Sequence, residues 1–390
     1  MRRMLNFESR TVADFFAGIG LVSMGLERAG WKTVYALDYD KDKAAAYNNH
    51  FGEGHYLTED IAQTQGANVP CVMLAHASFP CTDLSVAGAR GGIHKGESSA
   101  FWHFARILNE MKTSPPFVLL ENVEGLLTSD DGNDLRLVLR TLNDLGYHVD
   151  LLRVDASNFV PQSRVRLFMV GVHGSVIGKV DRDDLMQEYQ MRSSDARPQK
   201  IIDFIVKNRD LRWFFQQLPN LPKRNSVLED IVDYTAQWWT EDRSQYLYDQ
   251  MHSHHRELID SQMAQRKYSY YSAFRRMRLR DGTSQSTAEL RTDGIAGCLR
   301  TPKGGSARQI IVRVGRNRFD ARLINEKEAA RLMGAGDFKI DSTLSLNQVL
   351  FGFGDAVCVP ALEWIGKHYL NPFLQPTLEV PSARRPQLSL

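Results

Sequence analysis

The stretch SFPCTDLS, Ser78 to Ser85, sets a cysteine directly after a proline and just past the apolar run VMLAHA. A thiol there has two possible uses. It can be an inert small hydrophobe in a tight turn, the commoner fate of a reduced cysteine. Or it can be a nucleophile: a free thiol has a pKa of about 8.5 and attacks only as thiolate, so it needs a setting that a substrate can enter. The surroundings of Cys81 differ from those of Cys71 and Cys358, which read as inert. A polar, glycine-rich run, GARGGIHKGESS, follows Cys81 and could close as a lid. The next apolar run, FVLLENVEGLL, breaks off in the polar residues Glu121 and Asn122.

A second constellation lies in ADFFAGIGLVSMGL, where a strand carrying Asp14 gives way to Gly18 and Gly20 before a helical pattern. Glycines at such a turn let the backbone approach a ligand, with the helix N-terminus aimed at it. A dinucleotide fingerprint would want a third Gly or Ala where this chain has Ser23. The turn alone therefore fits any nucleotide-like ligand, or no ligand. The next strand ends at Asp38, about where an acidic side chain meets ribose hydroxyls. Asp60 in TEDIAQ could meet an adenine amino group. No lysine or P-loop follows the glycines, so nothing calls for phosphates. A ligand with ribose, adenine and an ammonium group, such as S-adenosyl-L-methionine, suits these acids.

The elements that must position these residues are legible as alternating strands and helices over roughly the first 172 residues. TVADFF, TVYALD, VMLAHA, FVLLE, YHVDLLRV and VRLFMVGV read as strands. SAFWHFARILNEMK places Phe101, Phe104, Ile107, Leu108 and Met111 on one helical stripe. This alternation predicts an α/β fold: a Rossmann-like, mostly parallel sheet covered on both faces, with a smaller, irregular second domain. The expected layout is a cofactor-binding and catalytic domain at 1–180 and a substrate-reading domain at 181–335. A segment at 336–372 would return to the first domain, with FGFGDAVCVP read as strand or loop, and 373–390 would be a mobile tail.

The chain has 390 residues, 43% hydrophobic and 24% charged, as expected of a soluble globular protein with more than one domain. Its four cysteines form no CxxC pair, which argues against a zinc site and a disulfide framework. The N-terminus lacks the apolar core of a signal peptide, and no apolar run reads as membrane-spanning, so a cytoplasmic protein is expected. Net charge is only +2, but its distribution is uneven. Arg256 to Arg322 holds 15 Lys and Arg against 6 Asp and Glu, while the rest holds 33 against 40. Such asymmetry is either a solvated basic face or the footprint of a nucleic-acid partner. His252, His254 and His255 lack carboxylate or thiol companions and read as surface.

Taken in order, DFFAGIG, SFPCTDLS, LLENVEGLL, VPQSRVRLFMVG, INEKEAARLMG and FGDAV resemble the DNA (cytosine-5)-methyltransferases of bacterial type, over nearly the whole chain except the middle region and tail. The resemblance implies Cys81 as nucleophile and Glu121 as the residue contacting the cytosine N3 and amino group. Arg164 and Arg166 would be the paired arginines, the latter near the cytosine O2. For the cofactor it implies Asp14, Phe16, Gly18, Gly20, Asp38, Tyr39, Asp60, Ile61, Pro80, Asp355 and Val357. For DNA it implies Ser85, Arg90 and Gln162. In the middle region, which corresponds to the family's DNA-reading part, Arg300, Lys303, Gly304, Gly305 and Arg308 suit a backbone or groove, and Arg275, Arg276 and Arg278 are candidates for phosphate or guanine contacts. Two positions depart from the family pattern: Asp38 stands for the usual glutamate and Asp355 for the usual asparagine.

The chemistry so implied is thiolate addition at carbon 6 of an everted cytosine, then methylation at carbon 5 from S-adenosyl-L-methionine, leaving S-adenosyl-L-homocysteine. A protonated carboxyl at N3 and an arginine at O2 would stabilise the charge that builds on the ring. No metal is expected. The expected partner is double-stranded DNA, bound by a monomer in a restriction–modification or phage-defence setting, with a cognate restriction endonuclease as a candidate partner. A tRNA cytosine-5 methyltransferase and a catalytically silent DNA-binding homologue are the alternatives.

Overall fold

The computed structural model describes residues 10–80, 100–177, 194–280, 283–301 and 308–374. Strand β1 (Thr11–Phe15) leads through the glycine turn into α1 (Leu21–Arg28), then β2 (Lys32–Asp38), α2 (Lys41–Phe51) and β3 (Tyr56–Thr58). β4 (Leu74–Ala77), α3 (Ala100–Glu110), β5 (Phe117–Val123), α4 (Asn133–Asp144), β6 (Tyr147–Asp155) and β7 (Val165–His173) complete the first unit. The seven strands form one sheet in the order β3-β2-β1-β4-β5-β7-β6. The central strands β4 and β5 read as nearly continuous apolar runs, β4 buried throughout and β5 through Asn122, because helices cover both faces. On α3, Phe101, Phe104, Ile107 and Leu108 are buried, the stripe that its spacing predicts.

The sheet is parallel through β5, but β7 runs antiparallel to both β5 and β6. That reversal decides where the arginines lie. The register sets Val123, the end of β5, opposite Arg166, near the start of β7. A parallel β7 would have carried Arg166 to the other edge of the sheet, away from Glu121.

The middle region is more regular than expected. β8 (Ser269–Arg280), β9 (Thr283–Arg291), β10 (Ile310–Gly315) and β11 (Arg318–Leu323) form an antiparallel sheet in the order β11-β10-β8-β9. The β10–β11 hairpin turns on Arg316 and Asn317, both at positive φ, as a two-residue hairpin turn of this hand demands. The helix Gln199–Lys207 contributes Ile201, Ile202 and Ile205 to the core under the first sheet, together with Leu211 and Trp213. That core thus reaches past residue 181.

FGFGD is helical, not strand or loop, and Ala356 to Cys358 link it to the next helix. The helix Leu346–Asp355 buries Val349, Leu350 and Phe353, and Ser345 caps it with Gln348. The helix Val359–Ile365 follows and packs on α1. The helical run Leu346–Leu374 is long and apolar enough to cross a bilayer, but 72% of its apolar window is buried, which makes it core. Phe373 and Leu374, expected to open a tail, belong to the core: Phe373 packs on Phe117 at 5.2 Å between ring centres, and Leu374 is buried. Residues 375–390 lie outside the described residues.

Candidate active site

The ends of β1 and β2 build a cradle. Phe16, Gly18 and Gly20 all have positive φ, at 59°, 56° and 87°. For Phe16 this is a strained conformation costing about 1–2 kcal/mol, which the surrounding turn must impose. The turn is fixed by Ala17 N–H donating to Leu37 O at 3.0 Å and by Gly18 N–H donating to Asp38 Oδ2 at 3.0 Å. Asp38 Oδ1 also accepts from Asp40 N–H, and burial pushes its carboxyl above the usual range, against the pull of Lys43. A Cβ at Gly18 would meet nothing within 4 Å, so the space over the turn is open. Tyr39 is 67% exposed next to it, Asp60 is exposed and accepts from Ala62 N–H, and Ile61 is buried. An open turn with the Asp38 carboxylate at its edge and the exposed ring of Tyr39 following it has the room and the groups that S-adenosyl-L-methionine would need.

Asp14 does not face that space. It is fully buried; Oδ1 lies 2.7 Å from His76 Nδ1 and Oδ2 accepts from Ser23 Oγ at 3.1 Å. The network runs on from Ser23 to Tyr47 Oη and His55 Nε2, and in the other direction from His76 Nε2 to Ser78 Oγ at 3.4 Å. Asp14 therefore ties the root of the β4 exit to the glycine turn from behind. Sequence reasoning missed His76, although Ser23 in place of a fingerprint glycine was a clue that a hydroxyl was wanted there.

The β4 exit leads to Pro80 and then Cys81. Cys81, Ser85, Arg90, Lys303, Gly304 and Gly305 lie outside the described residues. Asn122 Nδ2 donates to Phe79 O at 3.1 Å, so the polar end of β5 holds the backbone that enters the cysteine segment. Beside it Glu121, only 6% exposed, forms an ion pair with Arg166 Nε at 2.8 Å.

Arg164 and Gln162 are placed differently from what a substrate contact needs. Arg164 is 2% exposed, and its guanidinium donates to Leu299 O (2.8 Å), Gly354 O (2.9 Å) and Ala356 O (2.5 Å). Gln162 is fully buried; it donates to Leu332 O at 2.8 Å and accepts from Leu299 N–H at 2.9 Å. Both lock the segment around Leu299 to the C-terminal helices. Arg164 also donates to Cys298 Sγ at 3.3 Å. Burial pushes that thiol up, but Arg164, Arg166 and Arg300 outweigh burial and leave it below its ordinary value. Nothing in the spacing pointed to Cys298. Asp355 pairs with Lys43 at 2.9 Å, and Val357 is buried in the core against α1.

On the second sheet, Arg276 and Arg278 share Glu289, and Met277 between them is 58% exposed. Arg275 lies over the rings of Trp239 and Tyr246 at 5.7 and 5.8 Å. Arg300 is exposed, and Arg308 is half-buried with its Nε unpartnered. Arg276 and Arg278 thus share one face of β8 with Glu289, whereas Arg275 projects from the other face among aromatic rings.

The arrangement is similar to known proteins in both sequence and fold. A curated relative, the Type II methyltransferase M.BsuFI of Bacillus subtilis, is 38% identical over 175 residues, which cover 43% of this chain and 42% of that protein. The Type II methyltransferase M.HhaI of Haemophilus parahaemolyticus is 34% identical over 158 residues, 40% of this chain and 47% of that protein. These matched stretches thus span less than half of either relative's length. Among solved structures, the S. pombe Dnmt2 methyltransferase aligns at a TM-score of 0.57 and 15% identity, covering 93% of this chain and 98% of that one, a likeness of fold. The family described as C-5 cytosine-specific DNA methylase matches residues 10–371. The chain belongs to the C-5 cytosine-specific DNA methylase family.

Proposed function

We propose that the protein is a sequence-specific DNA cytosine-5 methyltransferase that uses S-adenosyl-L-methionine and acts on duplex DNA. The observation that carries this reading is the convergence at one sheet edge: the Gly18–Asp38 cradle, the Glu121–Arg166 pair, and the Pro80 exit into Cys81. In this reading Cys81 attacks carbon 6 of an everted cytosine as thiolate, making carbon 5 nucleophilic. Glu121 engages N3 and the amino group, and Arg166 takes the O2, so that charge developing on the ring meets fixed partners in a half-buried site. The bound cofactor supplies a methyl group activated by its positively charged sulfur. Asp38, Tyr39, Asp60 and the open turn at Gly18 would hold it, with Asp14 acting from behind the turn. A base then takes the carbon 5 proton, and the electron pair of that bond re-forms the ring double bond as the Cys81 thiolate leaves by elimination.

The basic middle region and the arginines on the second sheet support duplex DNA as the partner, with phosphate contacts fixing register and a minority of side chains reading bases. The Type II relatives support a restriction–modification setting in a prokaryotic cytoplasm, where a cognate endonuclease would recognise the same site. Expression in a host free of cytosine methylation, followed by bisulfite sequencing, tests this reading. The expected result is 5-methylcytosine at one fixed sequence, lost in Cys81→Ala. Unmethylated DNA with the wild-type protein, or an undiminished mark in the variant, would overturn it.

A further inference from the structure

Lys43 sits in a place where a lysine is locally unfavourable. It occupies the first turn of α2, whose N-cap Asp40 accepts from the Asp42 and Lys43 N–H groups. A cation near a helix N-terminus opposes the macrodipole, and its side chain is only 16% exposed, so it gives up hydration as well. Three carboxylates offset this. Lys43 Nζ donates to Asp355 Oδ2 at 2.9 Å, across 312 residues of chain, and Asp38 and Asp40 add their fields. The ammonium also lies 5.5 Å from the ring centre of Phe351. Burial works against the ammonium, but these carboxylates outweigh burial and hold it above its ordinary range.

The two departures from the family pattern are thus linked through one side chain. Asp355 brings a carboxylate to a position where the family usually has a neutral amide, and Lys43 supplies the cancelling charge. Lys43 is also tied to Asp38, the carboxylate that anchors the Gly18 turn: Asp40 accepts from Lys43 N–H and donates its own N–H to Asp38 Oδ1, and the ammonium favours the ionised Asp38. We infer that Lys43 is a positioning residue for cofactor binding, its ammonium pairing with Asp355 while holding the neighbouring Asp38 carboxylate ready for the ribose. This rests on the cofactor reading proposed above. The pair also joins α2 to the helix Leu346–Asp355, where Gln348 Nε2 donates to Asp42 Oδ2 at 2.8 Å.

Among the described residues, the charged and titratable groups that act on Asp38 are Lys43 and Asp40 at the start of α2 and Tyr56 on β3, while Asp355 on the C-terminal helix acts on Lys43. Of these only Lys43 favours the ionised carboxylate. Removing it raises the Asp38 titration further, so ribose binding must weaken first on the acid side.

Calorimetric titration of the full-length protein with S-adenosyl-L-homocysteine, repeated from acid to neutral pH, tests this. Lys43→Met should weaken binding about five- to tenfold, the scale of one partly buried charge pair, and move the acid limb of the binding curve to higher pH. Asp355→Asn should leave that limb at the wild-type pH or lower it, and the double variant should recover part of the affinity lost in Lys43→Met. Wild-type affinity and an unmoved limb in Lys43→Met would overturn the inference. So would a uniform loss at every pH, which is what a purely structural strap gives. Wild-type protein that fails to bind the ligand would instead overturn the cofactor reading itself.

Discussion

Arg164→Met is the substitution whose cost the structure sets most clearly. The methionine keeps much of the hydrocarbon volume but removes every donor. The buried carbonyls of Leu299 and Gly354, and the partly buried one of Ala356, then lose their guanidinium donor around a side chain only 2% exposed. An orphaned buried acceptor costs about 1–3 kcal/mol, so the gross loss is roughly 3–9 kcal/mol. Relief from burying the guanidinium returns several kcal/mol of this, leaving a net destabilisation of about 2–4 kcal/mol. Against a total stability of about 5–15 kcal/mol that is a large fraction. Urea unfolding followed by tryptophan fluorescence should show a clearly lower midpoint. Limited proteolysis should also open the chain near Leu299, because one side of the lock is released. Arg164→Lys, which can reach fewer of the three carbonyls, should fall between. A Met variant as stable as wild type yet inactive would refute this reasoning and return Arg164 to the substrate.

Other consequences follow from single contacts. Gly20→Ala should destabilise the fold by about 2–4 kcal/mol, through strain at φ 87° and a Cβ set 2.4 Å from Phe51 and 2.6 Å from Tyr47; thermal melting reads the loss, and an unchanged melting temperature would contradict it. Asp233 accepts from Thr235 and Asn325, and these bonds with the nearby Lys327 hold its carboxyl down from 3.8 to about 2. A depressed carboxylate contributes stability above its unfolded pKa and loses it as pH falls through the folded value. Stability should therefore drop by up to about 2 kcal/mol between about pH 4 and pH 2, and Asp233→Asn should flatten that slope in acid titrations of the unfolding midpoint.

Periodicity carried the first unit well, because buried strands such as LAHA and FVLLEN and the α3 stripe write their environment into local composition. It failed where partners are distant. FGFGDAV has two glycines and reads as loop, yet Gly352 and Gly354 are where Ile19 and the Arg300–Thr301 backbone approach too closely for a side chain. The second sheet was hidden because β8 carries arginines on a face that alternation arguments expect to be merely polar. At the site, the residue types were legible but not their division of labour. Asp14, Gln162 and Arg164 have the chemistry of ligand contacts, and only the fold shows that each is spent on a buried partner. The antiparallel β7 that brings Arg166 to Glu121 is marked only by the short link between Asp155 and Val165, which holds no α-helix and is too short for a parallel crossover.

The most direct measurement of the central claim uses a duplex carrying 5-fluorocytosine at the methylated position, incubated with the protein and S-adenosyl-L-methionine. With fluorine in place of the carbon 5 hydrogen there is no proton for a base to remove after methyl transfer, so elimination of the thiolate stalls. A protein–DNA adduct that survives denaturation, with its peptide mass mapping to Cys81 and absent in Cys81→Ala, is the predicted result. A methylated product formed without any such adduct, or an adduct at another residue, would contradict the account.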